Sequence, residues 1–311
     1  MKNKQTKIFG IGASGLIGSR VAELFADSYP MNNLSLETGF DIRKSEMVDR
    51  EIGQDTAASV VILFSAKTDV DGCEKDKETD QAVLQKDKNE QEAFFRDNPT
   101  AWAINVFGTQ NVVNSCKKAH KKLIYISTDF VFDGNNPPPG GYKETDMASP
   151  SSWYGKTKYE GEKVVEQSGL DYLIIRTAFP YRQDVFALKK DLVHIFLGLL
   201  EKKQPFQVVA DALITPTFVD DFAMALKTLL DKNEKGIYHV VGSQSLSAYD
   251  AVLIMANEFG FDQSLVGKNT AAELYQGRAP RPFHSIINNA KIQALGVKMR
   301  TFAEGIKELK R

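Results

Sequence analysis

Residues 7–18 read KIFGIGASGLIG, a short apolar run followed by glycines at positions 12, 15 and 18. The apolar run predicts a buried β-strand, and the residues after Gly15 begin a helical pattern. Glycines at this spacing permit a tight turn, close approach of the backbone to a pyrophosphate and close helix packing. The helix N-terminus adds free N–H donors for the same anion. The stretch therefore predicts a dinucleotide-binding strand-turn-helix unit through Gly12, Gly15 and Gly18.

Further apolar runs alternate with helical patterns along the chain. Buried parallel strands are predicted at 33–37, 59–66, 122–128 and 171–177, in addition to 7–11. Helices are predicted within 15–28, 101–119 and 154–169. This alternation predicts an α/β fold of Rossmann type, a doubly wound parallel sheet.

The alternation is lost in the last 70 or so residues, which predicts a smaller, mainly C-terminal substrate-binding lobe. We expect residues 1–179 with about 207–243 to form the dinucleotide-binding domain. About 180–206 and 244–311 are expected to form the lobe.

A charged segment, residues 72–98, interrupts the pattern with eight acidic and five basic residues. We interpret it as a solvated helical excursion, and its centre, 75–97, as an insertion. A surface insertion without a role and a flap near the site both remain open.

The composition argues for small molecules as partners. A formal net charge of −1 gives no electrostatic footprint for nucleic acid or an anionic membrane. Two cysteines and four scattered histidines offer no disulfide framework and no metal-ligand spacing. We expect no metal, no membrane segment and a cytoplasmic location.

The choice between NADH and NADPH stays open. Glu37 lies 19 residues after Gly18, at the end of the predicted second strand, where an acidic residue would bind a ribose hydroxyl. Arg20 and Arg43 could instead receive a 2′-phosphate.

Residues 153–163, WYGKTKYEGEK, hold two Tyr-x-x-x-Lys spacings, Tyr154 with Lys158 and Tyr159 with Lys163. A helix turns about 100° per residue, so the two tyrosines point about 140° apart and cannot face one site. At most one pair is catalytic.

The strand at 122–128 ends in YISTDFVFDG, which puts a hydroxyl at Thr128, 26 residues before Tyr154. With the glycine loop and NVFGT at 105–109, this pattern resembles the extended short-chain dehydrogenase/reductases. The resemblance continues through SAKTDVDGCE, SSWYGKTKYEGE, IIRTAFPY, VVADALITPTFVDD and RPFHSIINNAKIQALG. In this order the motifs resemble those of dTDP-4-dehydrorhamnose reductases, over nearly the whole chain outside 75–97.

The resemblance implies a catalytic triad of Thr128, Tyr154 and Lys158, and assigns Tyr159 and Lys163 to the surface. It implies NADPH or NADH contacts from Gly12, Ser14, Gly15, Leu16, Ile17, Gly18, Glu37, Asp41, Ile42, Ser65, Ala66, Lys67, Asn105, Tyr154 and Lys158. It implies nucleotide-sugar contacts from Val70, Asp71, Thr128, Asp129, Phe130, Phe179 and Arg281. The implied reaction is reduction of a nucleotide-linked 4-keto-6-deoxysugar, and a homodimer is one implied assembly.

The residue types suit this chemistry. Tyr154 can donate its proton to the reacting oxygen while Thr128 hydrogen-bonds it. A lysine cation ~4 Å away, at an effective dielectric of ~20, would stabilise the phenolate of Tyr154 by about 4 kcal/mol. This energy corresponds to a lowering of the tyrosine pKa by roughly three units before desolvation is considered. We therefore expect Lys158 to lower the pKa of Tyr154.

Some positions depart from the family pattern and leave the sugar open. Lys67 stands where the family has an aromatic residue, Ala212 and Ile214 replace Gln and Gly, and Phe179 replaces a tryptophan.

Two alternatives stay open. The regulatory beta subunit of methionine adenosyltransferase resembles the same reductases, and so do sugar-nucleotide epimerases and dehydratases. Dehydratases place Asp-Glu after the threonine, whereas Phe130 follows Asp129 here.

Overall fold

The computed structural model describes residues 7–55 and 58–309, which form two compact units. The first unit comprises the chain through Val131 together with Pro150–Ile175 and Glu234–Ile237. The second comprises Phe132–Ser149, Arg176–Asn233 and the chain from Tyr238 onward.

The first unit is built on the predicted Rossmann-type sheet. Six strands follow the order β2-β1-β3-β4-β5-β10 across the sheet. They are β1 (Lys7–Ile11), β2 (Met31–Leu34), β3 (Ala58–Leu63), β4 (Lys122–Thr128), β5 (Tyr172–Thr177) and β10 (Gly236–His239). The pairs β1–β2, β1–β3 and β3–β4 are parallel. All seven residues of β4 are buried, as expected for a strand covered on both faces.

Helices connect these strands. They are α1 (Leu16–Phe25), α2 (Ser45–Val48), α3 (Val70–Val83), α4 (Lys88–Asp97), α5 (Thr109–Lys118) and α6 (Trp153–Glu166). The predicted helix at 101–119 is not uniform, because Ala103–Gly108 is π-helical before α5 begins. Single π-helical turns often occur at functional sites.

The charged segment is helical, as predicted, but it is not solvated on all sides. It forms most of α3 and all of α4, and Asp80 is fully buried. Val83 and Phe95 form a buried apolar cluster with Ala103. The prediction of a wholly solvated excursion is wrong for this face, because Val83 and Phe95 pack into that cluster while Leu84 and Phe94 pack against it.

The second unit consists of short strands and helices. Its strands are β6 (Pro180–Tyr181), β7 (Phe206–Val209), β8 (Leu213–Ile214), β9 (Thr217–Phe218), β11 (Leu246–Ser247) and β12 (Val266–Asn269). Its helices are α7 (Leu192–Glu201), α8 (Val219–Asp231), α9 (Ala248–Phe259), α10 (Ala271–Leu274), α11 (Ala290–Gln293) and α12 (Phe302–Ile306). Aromatic and aliphatic side chains from α7, α9 and α12 form its core.

The division into units differs from the predicted domain boundaries. Residues 132–149, 176–179, 207–233 and 238–243 belong to the second unit, although the sequence pattern favoured the dinucleotide-binding domain. The physical reason is local pairing: β7 forms a parallel pair with β12, and Phe132 stacks on Tyr142 with 4.3 Å between ring centres. No helix in the described ranges is long and apolar enough to cross a lipid bilayer.

Candidate active site

The glycine loop lies where the strand order of the sheet reverses. β2 and β3 flank β1 on opposite sides, and ligands of open α/β sheets bind at such switch points. Gly12 follows β1 with a φ of +77°, and a Cβ atom there would lie 2.7 Å from the backbone nitrogen of Ser65. Only glycine fits this approach between the loops after β1 and β3.

The first turn of α1 suits an anion. Gly15 is the N-cap residue, and no side chain among the described residues caps the helix there. A Cβ atom on Gly15 would lie 3.2 Å from the carbonyl oxygen of Gly12, and one on Gly18 would lie 2.6 Å from the Cα atom of Ala13. The backbone N–H groups of this turn are therefore suited to hold the pyrophosphate of a dinucleotide.

We expect Gly15→Val to weaken dinucleotide binding at least tenfold, because its branched side chain projects where a pyrophosphate would approach the backbone. Titration calorimetry with NADH and NADPH measures this. The matched control is Gly198→Val on α7, where an added Cβ meets open space. Equal cofactor affinity in a folded Gly15→Val variant and the control would contradict the assignment of the loop.

The second strand ends earlier than predicted. It ends at Leu34, and Glu37 is exposed on a short 3₁₀ turn three residues further on, so its contact with the cofactor stays a prediction. Asn33 and Ser35 contact the glycine loop: Asn33 Nδ2 donates to Ser14 Oγ (2.9 Å), and the Ser14 N–H donates to Ser35 Oγ (3.2 Å). Sequence reasoning missed both, although polar residues at a strand's carboxyl end were the available signal.

Two predicted cofactor residues, Asp41 and Ile42, are held by their neighbours. The Asp41 carboxylate binds the Arg43 guanidinium at 2.7 Å, and the Ile42 carbonyl accepts from Asn111 Nδ2 at 2.9 Å. Arg43 Nη1 is buried and has no hydrogen-bond partner among the described residues. Arg20, the other predicted candidate for a 2′-phosphate, forms an ion pair with Glu23. Arg43 is thus the arginine that retains an unused donor.

Asn105, predicted to contact the cofactor, has its side chain fully engaged by the protein. Its Oδ1 accepts from the Lys67 N–H (2.9 Å), and its Nδ2 donates to the Lys67 carbonyl (3.1 Å) and to Thr157 Oγ1 (2.9 Å). This buried amide therefore joins the loop after β3, Ser65–Lys67, to α6. Its predicted contact with the cofactor stays a prediction.

The end of β4 and the first turn of α6 bring four predicted residues together. Thr128 hydrogen-bonds the Tyr154 phenol and the Asp129 carboxylate, the latter at 3.1 Å. The Phe130 ring meets the Tyr154 ring edge-on, with 5.4 Å between ring centres. A Cβ atom on Gly155 would overlap the Phe130 carbonyl oxygen, so α6 approaches this loop as closely as glycine allows.

Lys158 lies one turn further along α6 and is 1% exposed. Its Nζ donates to the Ile126 carbonyl of β4 (2.8 Å) and lies 3.9 Å from the centre of the Tyr125 ring. Burial lowers the pKa of Lys158 to about 7, although the nearby Glu162 carboxylate opposes this shift.

The expected lowering of the Tyr154 pKa is not what the structure shows. Burial raises the pKa of Tyr154 above its ordinary value, and the hydrogen bond with Thr128 only partly opposes the shift. Desolvation is the largest cause of this shift, and the nearby Asp129 carboxylate acts in the same direction. As a consequence Tyr154 keeps its proton at neutral pH, which is the form that a proton donor needs.

The second Tyr-x-x-x-Lys pair lies at the surface of α6. Lys163 Nζ is 4.6 Å from the centre of the Tyr159 ring and 3.0 Å from Glu160 Oε1, and all three side chains are partly exposed. Such pairs contribute about 1 kcal/mol or less to stability.

The predicted substrate residues lie in both units. Val70 and Asp71 begin α3 in the first unit, near Lys67 in sequence. Phe179 and Arg281 belong to the second unit. Phe179 has a positive φ of 41°, which is uncommon for a bulky residue, and the Arg281 guanidinium lies 4.5 Å from the centre of the Tyr275 ring.

The chain is similar to several known proteins. The spore coat polysaccharide biosynthesis protein SpsK of Bacillus subtilis is 29% identical, covering 97% of this chain and 96% of that protein. The crystal structure of dTDP-4-dehydrorhamnose reductase from Bacillus anthracis in complex with NADP matches with a TM-score of 0.83 and 26% identity, over 98% of each chain. Methionine adenosyltransferase 2 subunit beta of Xenopus tropicalis is 32% identical over 215 residues, which cover 66% of this chain and 62% of that protein.

A family model described as the RmlD substrate binding domain matches residues 6–311, nearly the entire chain. The resemblance seen in the sequence motifs is thereby confirmed, and so is the Rossmann-type fold. The chain belongs to the RmlD substrate-binding-domain family of extended short-chain dehydrogenase/reductases.

Proposed function

We propose that the protein is an NAD(P)H-dependent reductase of a nucleotide-linked 4-keto-6-deoxysugar, with Tyr154 as the proton donor. The observation that carries this proposal is the buried, protonated Tyr154 phenol hydrogen-bonded to Thr128 and followed one turn later by Lys158. The pair occurs in the same unit as the glycine loop.

The role of each residue follows from the chemistry of ketone reduction. A reduced nicotinamide supplies the hydride when bound, and the keto oxygen gathers negative charge as the hydride reaches its carbon. Tyr154 donates its proton to that oxygen, and Thr128 hydrogen-bonds it. Lys158 is positioned by the Ile126 carbonyl. In its protonated form it would stabilise the resulting phenolate and hold the nicotinamide ribose.

The remaining predicted residues keep their proposed roles. The glycine loop with Ser14, Leu16 and Ile17 would bind the pyrophosphate. Val70, Asp71, Asp129, Phe130, Phe179 and Arg281 would contact the nucleotide sugar. Arg43, with its unused Nη1, supports recognition of a 2′-phosphate. The free thiols Cys73 and Cys116 support a cytoplasmic location, and the homodimer stays a prediction.

The direct test is steady-state oxidation of NADH and NADPH, followed by absorbance, with dTDP-, UDP- and GDP-linked 4-keto-6-deoxysugars. We expect turnover with at least one of them and a preference for NADPH. Binding of the cofactor without turnover of any keto sugar would overturn the reductase proposal.

Arg43→Gln should reduce the affinity for NADPH more than that for NADH, because a single guanidinium donor to a phosphate is charge-assisted.

A second candidate is a regulatory subunit like methionine adenosyltransferase 2 subunit beta. The observation that favours it is the alignment of 215 residues with that protein at 32% identity. Co-purification of the chain with a methionine adenosyltransferase, together with absent keto-sugar reduction, would favour this candidate.

A further inference from the structure

Helix α3, most of which lies in the charged segment outside the family motifs, contacts the start of the helix that carries Tyr154. Glu74 Oε2 accepts from the Trp153 backbone N–H at 2.8 Å. Asp80 Oδ2 accepts from the Trp153 indole Nε1–H at 2.8 Å and from the Trp102 backbone N–H at 3.1 Å. Two carboxylates of one helix thus hold the residue immediately before Tyr154, by its backbone and by its side chain.

These contacts are local to the first turn of α6. Trp153 is the first helical residue, and its N–H has no acceptor within the helix. Ser152 Oγ accepts from the Gly155 N–H at 3.1 Å, so Glu74 and Ser152 together satisfy two of the free donors of this turn. A carboxylate at a helix N-terminus is also favoured by the helix dipole.

The side-chain contact is buried. Asp80 is 0% exposed and Trp153 is 6% exposed. The Trp153 ring stacks on the Trp102 ring, with 5.9 Å between ring centres and 26° between planes. A hydrogen bond in a water-excluded environment is stronger than one at the surface, so the indole has little freedom to move.

We infer that Asp80 is a positioning residue for Tyr154, acting through the Trp153 indole, with Glu74 supporting the backbone of the same turn. This inference rests on the proposed function, because it concerns the proton donor of that reaction. A displacement of about 1 Å in a reacting group can cost about 10²-fold in rate. Through these two residues of α3, the charged segment supports the helix that carries Tyr154.

The first test is Trp153→Phe, which keeps an aromatic ring beside Trp102 but removes the donor to Asp80. We expect kcat to fall about tenfold or more, while the KM of the nucleotide sugar and the Kd of the cofactor change less than about twofold. Asp80→Asn retains an acceptor oxygen and should lose less kcat than Asp80→Ala. If Asp80→Ala does not fold, Trp153→Phe and Asp80→Asn still test the inference.

A purely structural role predicts a different result. Val83→Ala on the same helix removes buried methyl groups from the apolar cluster without touching Trp153. We expect it to lower the Tm and leave kcat unchanged. A folded Trp153→Phe variant with kcat within twofold of the wild type would overturn the inference. An equal loss of kcat in Val83→Ala and in Trp153→Phe would also overturn the inference.

Failure of the proposed function is distinguishable from failure of the inference. If the wild type reduces no keto sugar, the reductase proposal fails, and ¹⁹F NMR of 3-fluorotyrosine at position 154 then tests positioning alone. We expect one narrow resonance in the wild type, a shifted or broadened one in Trp153→Phe, and no change in Val83→Ala. An unchanged resonance in Trp153→Phe overturns the inference.

Discussion

Tyr154→Phe is expected to lower kcat by about 10²- to 10⁴-fold while the Kd of the cofactor stays within about twofold. The substitution removes one hydroxyl group, and general acid catalysis contributes a factor of this size. Tyr154 is 8% exposed, and its ring, which packs against Phe130, is retained in the variant. Steady-state kinetics with the best nucleotide sugar, together with cofactor titration, measures both quantities.

The matched control is Tyr159→Phe, five residues further along the same helix. Tyr159 is partly exposed and meets Lys163 at the surface, so its hydroxyl should contribute less than about threefold to kcat. Equal losses of kcat from the two tyrosine substitutions would refute Tyr154 as the proton donor. Unfolding of Tyr154→Phe alone would not mimic the expected result, since kcat is determined on the folded, cofactor-binding fraction.

Lys158→Met is expected to abolish most activity and cofactor affinity, yet to stabilise the protein without cofactor at neutral pH. Burial lowers the pKa of Lys158 from 10.5 to about 7, so folding keeps the amine in an environment that disfavours its charge. At 1.36 kcal/mol per pKa unit, this shift corresponds to at most about 5 kcal/mol of lost stability. Methionine has a similar shape and no charge to desolvate. Loss of the hydrogen bond to Ile126 offsets part of the gain.

The sign of the pH dependence follows from the lowered pKa. Between pH 7 and 10.5 the unfolded chain binds a proton at Lys158 that the folded protein does not, so the free energy of unfolding rises with pH across this window. The stability advantage of Lys158→Met over the wild type should therefore shrink by roughly 1.4 kcal/mol per pH unit from pH 7 upward. Below pH 7 it should be constant.

Urea unfolding of both proteins at pH 7, 8 and 9, without cofactor, measures this difference. Lys163→Met serves as the control, and we expect it to change stability by less than about 0.5 kcal/mol, as is usual for a substitution at the surface. A Lys158→Met variant less stable than the wild type at pH 7 would show that the buried amine is not a cost to folding.

The main features of the fold followed from the sequence because local patterns determine them. Apolar runs bounded by turn residues predicted β1 and β4 with the observed bounds, and glycine spacing predicted the loop after β1. The second strand ends at Leu34 instead of residue 37, and Ser35, the next residue, forms a hydrogen bond with Ser14 of the glycine loop. Contacts of this kind join segments that are distant in the sequence, and the periodicity of the sequence does not predict them.

Prediction of the site from the sequence was limited for the same reason. Tyr154, Thr128 and Lys158 were predicted from spacing and resemblance, but the direction of the Tyr154 pKa shift was not, because desolvation depends on how deeply α6 is packed. Asp80 was not predicted as a site residue, because the many charged residues of the segment 72–98 indicated solvent exposure. Its partner, the Trp153 indole, lies 73 residues away in sequence. Only the folded chain brings them together.

The amide of Asn105 has a consequence for how fast a ligand can bind. Lys67 donates its N–H to this amide and accepts from it, so the loop after β3 is already ordered in the protein alone. Ordering a residue costs about 1–2 kcal/mol in backbone entropy, and here that cost falls on folding. Association of the dinucleotide then needs no loop rearrangement at this point, and its rate constant should show little dependence on solvent viscosity beyond that of diffusion.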